Sequence, residues 1–323
     1  REEIDTFVED ILDSLTLAGK IGQMTQLDVT MIVNPNTATL NYTMLQQAIE
    51  YGVGSFLNSP YSSNIDNQKS GFSPSDWISF VNDVQTYVMK NTPKNISSSP
   101  IPMIYGIDSV HGGNYIFGSV MFPHNLGIGA TFNPDLAGKA AAVTAKDSRA
   151  SGLPWVFAPV LGIGVQPLWP RIYETFGEDP YLNSMMADSF VRSMQGNGSL
   201  DDPQYAACTI KHFLGYSDPK SGKDRTPAWI PDRMLYRYFV PPFQSGIEAG
   251  AVSAMINSGE ISGVPVHASK QYLTELLRQD LGFQGVAVTD WQDIEKLQYY
   301  HHVAADYTEA TRLAILAGID MSM

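Results

Sequence analysis

The sequence is short of cysteine, of charge and of long apolar runs, and each shortage closes a class of function. There is a single cysteine, Cys208, so no intrachain disulfide can form and a cysteine-built zinc site is excluded. Cys208 sits in the apolar run Tyr205-Ala206-Ala207-Cys208-Thr209-Ile210 and reads as inert core. No stretch approaches the roughly 20 apolar residues of a membrane span. Only 16% of residues are charged, and 20 lysines and arginines face 33 acids, a formal net charge of −13. With no basic cluster, nucleic acid and anionic membrane surfaces are poor partners. No Gly-x-Gly-x-x-Gly turn follows the first apolar run and no P-loop exists, so the common dinucleotide and nucleotide sites are not expected. No cofactor is expected. No His-x-His lies on the first run, and His111, His212 and His267 lack tight ligand spacing, which leaves a metal-dependent hydrolase only as an alternative. The chain opens on Arg1 with no apolar leader, so a processed or trimmed start is expected.

What is present is an alternating pattern over 323 residues that are 44% hydrophobic, enough for a sizeable core. Ile4, Phe7, Val8, Ile11, Leu12 and Leu15 recur at helical spacing over 2–15. Ser73-Pro74, Asn133-Pro134 and Asp179-Pro180 each read as an N-cap followed by proline in the first turn, where the missing N–H costs nothing. They open expected helices over 74–91, 134–148 and 180–195, with further helices over 269–281 and 306–317. Between the helices lie short apolar runs at 21–27, 53–57, 102–107, 154–160, 205–210, 252–256, 285–289 and 317–321. Runs of that length read as strands buried on both faces. Eight strand–helix units predict an α/β fold, a (β/α)8 barrel in a single domain over 1–323, with a doubly wound sheet as the rival.

In such a barrel the chemistry collects at the C-terminal ends of the strands. The expected strand ends carry Asp28, Asp108, Lys211-His212, Asn257-Ser258-Gly259-Glu260, Asp290-Trp291 and Asp320, and the loop after the fourth holds Trp169, Arg171, Tyr173 and Glu174. Carboxylates, Arg and Lys grip hydroxyls by charge-assisted hydrogen bonds, and an indole covers the C–H face of a sugar. A carboxylate beside an anomeric carbon can act as nucleophile. Each residue also has a structural reading. Asp108 can cap a helix, Lys211 and His212 can be a solvated pair, and Asp290 can be an ion-pair partner. His111 and His124 can be structural, and Glu178-Asp179 can serve the helix that follows.

These residues fall in stretches that resemble glycoside hydrolase family 3, in its two-domain β-glucosidase branch. The stretches are Lys20-Ile21-Gly22-Gln23-Met24-Thr25-Gln26, Gly106-Ile107-Asp108-Ser109-Val110-His111-Gly112, Arg171-Ile172-Tyr173-Glu174-Thr175-Phe176-Gly177-Glu178-Asp179-Pro180, Lys211-His212-Phe213, Val288-Thr289-Asp290-Trp291 and Ala317-Gly318-Ile319-Asp320-Met321. They cover nearly the whole chain in the family's order. The resemblance implies that Asp290 is the nucleophile of a retaining, exo-acting β-glucosidase and that Trp291 flanks the sugar. It implies that Asp108, Arg171, Lys211 and His212 bind the sugar hydroxyls, with Met255 and Ser258 on the sixth strand and its loop. Asp at position 108 is similar to the glucosidase branch, where xylosidases often carry Glu.

Three departures stand out. Ser258 follows Met255-Ile256-Asn257 where the family often has Tyr, and Pro170 stands where Gly is usual. The chain ends at Met323 just after the eighth run. The resemblance therefore implies that the acid/base Glu comes from a second α/β domain or chain. The family's N-acetylglucosaminidase branch instead carries an Asp-His pair in the loop after Lys-His, and 214–225 holds no His. Glu260 is the weaker in-chain substitute for the acid. The expected substrate is a β-glucoside or β-glucan oligosaccharide. A β-xylosidase or a catalytically inactive sugar-binding barrel stays as an alternative. Asn41-Tyr42-Thr43, Asn95-Ile96-Ser97 and Asn197-Gly198-Ser199 match the glycosylation pattern. A secreted glycoprotein or a lysosome-like compartment is expected, with a periplasmic origin open.

Overall fold

The computed structural model describes residues 2–61, 71–198 and 200–323. The chain forms two compact units, one built on Arg1–Ile107 with Tyr115–Phe117 and Ser151–Leu153, the other on Asp108–Asn114, Gly118–Ala150 and Pro154–Met323. It is an α/β fold in which helices alternate with parallel strands taken in chain order.

The first unit holds strands β1 (Gln26–Asp28), β2 (Ser55–Leu57) and β3 (Ile104–Ile107), parallel and in register through Gln26, Ser55 and Ile104. Phe56, Tyr105 and Trp77 are fully buried around them. Helix Pro74–Asn91 begins as expected, with Ser73 and Asp76 closing a reciprocal capping box. One reading changes. The run expected as a strand over 21–27 is divided: Leu17–Gln23 is helical, started by Thr16, whose hydroxyl accepts from the Gly19 N–H, and the strand begins only at Gln26. Gly22 explains the packing: a Cβ there would meet the Tyr51 carbonyl oxygen at 2.3 Å, so only glycine lets the helix approach that backbone. The amphipathic helix Glu2–Ser14 forms, yet Ile4, Phe7, Val8 and Leu12 are exposed, the first two at 65% and 63%.

The second unit holds β4 (Trp155–Val156), β5 (Ala207–Phe213), β6 (Ser253–Ile256), the hairpin pair β7 (Glu260–Ile261) and β8 (Val264–Pro265), and β9 (Val286–Val288). β4, β5, β6 and β9 are parallel neighbours. β4 is shorter than the run over 154–160 because Pro159 has no N–H to give. The segment goes on beside β5 through its carbonyls, with Ala158 accepting from Thr209 N and Pro159 from Lys211 N. The run at 317–321 contributes one parallel bridge, Val288 with Met321, rather than an eighth strand. Among the described residues the parallel strands number seven, where the spacing predicts eight.

Helices Pro134–Ala150, Pro180–Gln195 and Val240–Glu248 cover this unit. Asp179 caps the middle one, its Oδ1 accepting from the Leu182 N–H at 2.7 Å. Asp179→Ala is expected to cost about 1 kcal/mol of stability, read as a lower urea midpoint. An unchanged midpoint would show that water replaces the cap at no cost.

Register positions the site. Lys211 pairs with Met255 and Met255 with Val288. His212, Ser258 and Asp290 therefore leave their strands at one edge.

Candidate active site

Two cations at this edge are neutralised by their own carboxylates. Lys211 is buried at the end of β5, and its Nζ donates to Asp108 Oδ1 at 2.6 Å. Asp108 follows β3 and keeps about a third of its side chain open to solvent. Arg171 stands before the short 3-10 turn Ile172–Glu174. Its Nε and Nη2 donate to the two oxygens of Glu174 at 3.0 and 2.8 Å, a planar fork that a lysine cannot reproduce. Nη1 donates to Tyr216 Oη at 3.3 Å, and Nη2 lies 3.5 Å from His212 Nε2. Burial works against the Arg171 charge, but the hydrogen bonds and charge of Glu174 outweigh it and keep the guanidinium protonated.

Asp290 is the centre. Its carboxylate is almost buried where the chain leaves β9. Oδ2 accepts from Arg225 Nη2 and from Ser258 Oγ, each at 3.1 Å, and lies 3.5 Å from His212 Nε2. Oδ1 accepts from the Trp291 N–H at 2.6 Å. Burial alone would raise this carboxyl. The His212 ring, Arg225, Arg171 and the Trp291 N–H overturn that and hold it well below the usual carboxylate range. His212 is itself held well below the usual histidine range, by burial first and by Arg171 next. The ring is therefore neutral, and the two guanidiniums carry the effect. His212 Nδ1 is buried without a protein partner, and the ring meets Tyr216 edge-on at 4.7 Å.

The arrangement thus offers one ionised, desolvated carboxylate beside a neutral imidazole. Two further groups, Lys211 with Asp108 and Arg171 with Glu174, have donors and acceptors to spare. That set can hold a polyhydroxylated ligand while the carboxylate attacks an electrophilic carbon.

Behind Asp290 lies a second polar layer. Asp293 and His267 are both buried, with Asp293 Oδ2 3.6 Å from His267 Nε2. Lys296 donates to Asp293 Oδ1 at 2.6 Å. His301 Nδ1 meets Glu260 Oε1 at 2.7 Å, and its Nε2 meets the Ser258 carbonyl at 3.1 Å. Glu260 is thereby tied to the loop that carries Ser258.

Residues 16–323 match the family described as Glycosyl hydrolase family 3 N terminal domain. The chain belongs to glycoside hydrolase family 3. It is 56% identical to the lysosomal beta glucosidase of Dictyostelium discoideum, over 99% of this chain and 39% of that protein. It is 31% identical to the periplasmic beta-glucosidase of Salmonella typhimurium, over 100% of this chain and 38% of that protein. Its backbone superposes on the exo-1,3/1,4-beta-glucanase from a Pseudoalteromonas species with a TM-score of 0.86 at 28% identity, covering 100% of this chain and 38% of that one. The chain therefore spans about two-fifths of the length of the relatives it matches.

In this family 3 chain, the sequence-predicted residues divide into those in mutual contact and those apart. Asp108 meets Lys211; Arg171, His212, Ser258 and Asp290 form one connected group. Met255 is buried within β6. Trp291 touches Asp290 through its backbone, and the residue is 38% exposed. Cys208 is buried in β5, where burial pushes its thiol up and out of reactivity, as expected of core. Of the glycosylation triplets, Asn41 uses its amide to cap helix Tyr42–Glu50, Asn95 is exposed, and the Asn197 triplet includes Ser199, outside the described residues.

Sequence reasoning missed Arg225 and the network that holds it. Asp224 Oδ1 accepts from Trp169 Nε1 at 2.9 Å and from Tyr216 Oη at 2.8 Å, and Asp224 Oδ2 accepts from Arg225 Nη1 at 3.1 Å. The available signal was the charged triplet Lys223-Asp224-Arg225 in the loop that leaves the Lys211-His212 strand.

Proposed function

We propose that this chain is the (β/α)8 barrel domain of a retaining, exo-acting β-glucosidase and that Asp290 is its nucleophile. The observation that carries the reading is the state of Asp290: nearly buried, ionised, and accepting hydrogen bonds from Arg225, Ser258 and the Trp291 backbone. An ionised carboxylate in a site of low dielectric is ready to form a bond to an anomeric carbon. Asp108, Lys211, Arg171 and His212 would take the hydroxyls of the terminal glucosyl unit, with Trp291, Met255 and Ser258 around it. The names of the relatives support a glucoside or β-glucan oligosaccharide as substrate, and a compartment outside the cytosol.

In the first step a carboxylate oxygen of Asp290 bonds to the anomeric carbon as the glycosidic C–O bond breaks. The departing oxygen takes a proton from a general acid. In the second step water adds to the same carbon, gives its proton to the conjugate base, and returns Asp290 as a carboxylate. Two carboxyl groups about 5–5.5 Å apart are needed for this route. We assign the acid/base to a Glu outside this chain, on a second α/β domain or a partner chain. Glu260 is less suited, since its carboxylate is engaged by His301.

The test is intact mass and peptide mapping after incubation with 2,4-dinitrophenyl 2-deoxy-2-fluoro-β-glucoside. Its leaving group departs without a proton, so the external acid is not required. A 2-fluoroglucosyl adduct on Asp290 is expected. An adduct on another carboxylate removes Asp290 from the role. Tight glucose binding with no adduct supports a sugar-binding protein instead.

A further inference from the structure

The two oxygens of Asp290 are treated unequally. Oδ2 faces Arg225 Nη2 and Ser258 Oγ at 3.1 Å, with the His212 ring at 3.5 Å. A carboxylate oxygen has two lone pairs, so this side is filled. Oδ1 accepts only from the Trp291 N–H among the described residues, which leaves one lone pair for another atom.

Arg225 is held in place for this contact. It takes a left-handed backbone conformation, φ +60°, which a bulky side chain adopts only where its surroundings require it. Its Nη1 donates to Asp224 Oδ2, and Asp224 is in turn fixed by Trp169 and Tyr216. Its carbonyl accepts from Tyr300 Oη at 3.2 Å. Arg171 is committed to Glu174 and Lys211 to Asp108. Arg225 is the cation in direct contact with Asp290.

We propose that Arg225 is a positioning residue for the nucleophile: it holds Oδ2, leaves Oδ1 to attack, and draws Asp290 back to its carboxylate form when the glycosyl-enzyme breaks down. The proposal rests on the reading of Asp290 as nucleophile. In the first step the Oδ1–C1 bond forms and the C1–O bond to the aglycone breaks, the aglycone leaving with the electron pair. Asp290 is then a neutral ester, and Arg225 has lost half of its ion pairing. In the second step the water oxygen bonds to C1, the C1–Oδ1 pair returns to the carboxylate, and the water proton passes to the external carboxylate base. Arg225 pairs with the carboxylate at both ends of the cycle and not with the ester between them. It therefore biases the enzyme against accumulating the covalent intermediate.

The experiment compares wild type, Arg225→Gln and Arg225→Lys in the full-length polypeptide. It reads the inactivation rate constant with the 2,4-dinitrophenyl 2-fluoroglucoside, the reactivation rate constant after the reagent is removed, and the site of the adduct. In Arg225→Gln the ratio of inactivation to reactivation is expected to rise about 10–100-fold, the worth of one charge-assisted hydrogen bond. Arg225→Lys, which keeps the charge, is expected to restore most of the wild-type ratio. A ratio unchanged in Arg225→Gln, with the adduct still on Asp290, overturns the role of Arg225 and leaves the nucleophile intact. Equal slowing of both steps in both variants also overturns it, because loss of fold near the site would do the same. A wild-type adduct on another residue overturns the nucleophile and this proposal with it.

Discussion

Asp290→Ala is expected to lower kcat/KM on a β-glucoside by roughly 10⁴–10⁶-fold, the scale seen when a covalent nucleophile is removed. The reason is local. The side chain is the ionised group that receives Arg225 and Ser258 together, and among the described residues no other carboxylate is placed against both donors. Alanine leaves a space lined by Arg225, Ser258 and the His212 ring, still cationic through Arg225 and sized for a small anion. Azide is therefore expected to restore turnover of a dinitrophenyl β-glucoside in this variant and to yield the α-glucosyl azide, since attack comes from the face that Asp290 occupied. Product configuration is the check. A β-azide, or activity within 10-fold of wild type, would remove Asp290 from the nucleophile position. Asp290→Asn keeps the shape without the charge, and an equal loss there would place the effect in the anion rather than in packing.

Which of these contacts could be read in advance depends on distance along the chain. Lys211-His212 and Asp290-Trp291 stand at the ends of short apolar runs, so an alternating pattern and the rule of strand ends were enough to bring them forward. Arg171 with Glu174, and Asp179 with Leu182, are neighbours three residues apart and are local in the same sense. Arg225 reaches Asp290 across 65 positions, from a loop residue with positive φ, and neither spacing nor periodicity encodes such a contact. Tyr216, Asp224 and Trp169 meet for the same reason, through two loops whose paths the sequence does not state. Element limits were misjudged where one residue decided them. Pro159 withholds the N–H that would have extended β4, and Thr16 with Gly22 turns an apolar run into a helix. The face of helix Glu2–Ser14 is legible as amphipathic, but its pattern cannot say that Ile4 and Phe7 lie exposed.

Asp293→Asn is expected to change the slope of stability against pH, and His267→Gln to change it with the opposite sign. Burial, with Asp290 adding to it, pushes the Asp293 carboxyl up to about 6. An unfolded aspartate titrates near 3.9. Between those values the folded chain keeps a proton that the unfolded chain has lost, so the Asp293 contribution is lost as pH rises from about 4 to about 6. His267 runs the other way. Burial, helped by the Lys296 ammonium and only partly opposed by Asp290, pushes it down to about 3, against about 6.5 unfolded. Between those values the unfolded chain binds the extra proton, so the His267 contribution grows as pH rises from about 3 to about 6.5. In the wild type the two nearly cancel from pH 4 to 6. In His267→Gln the rising His267 contribution is gone, and stability measured against wild type should fall by about 3 kcal/mol across that interval, two pH units at 1.36 kcal/mol each. In Asp293→Asn the falling Asp293 contribution is gone, and stability measured against wild type should rise across the same interval at up to about 1.4 kcal/mol per pH unit. The two side chains face each other at 3.6 Å, beyond a hydrogen bond. Urea unfolding at half-unit steps from pH 4 to 6 measures both slopes. Parallel curves for the two variants would mean that Asp293 and His267 titrate together as an ion pair in the folded chain.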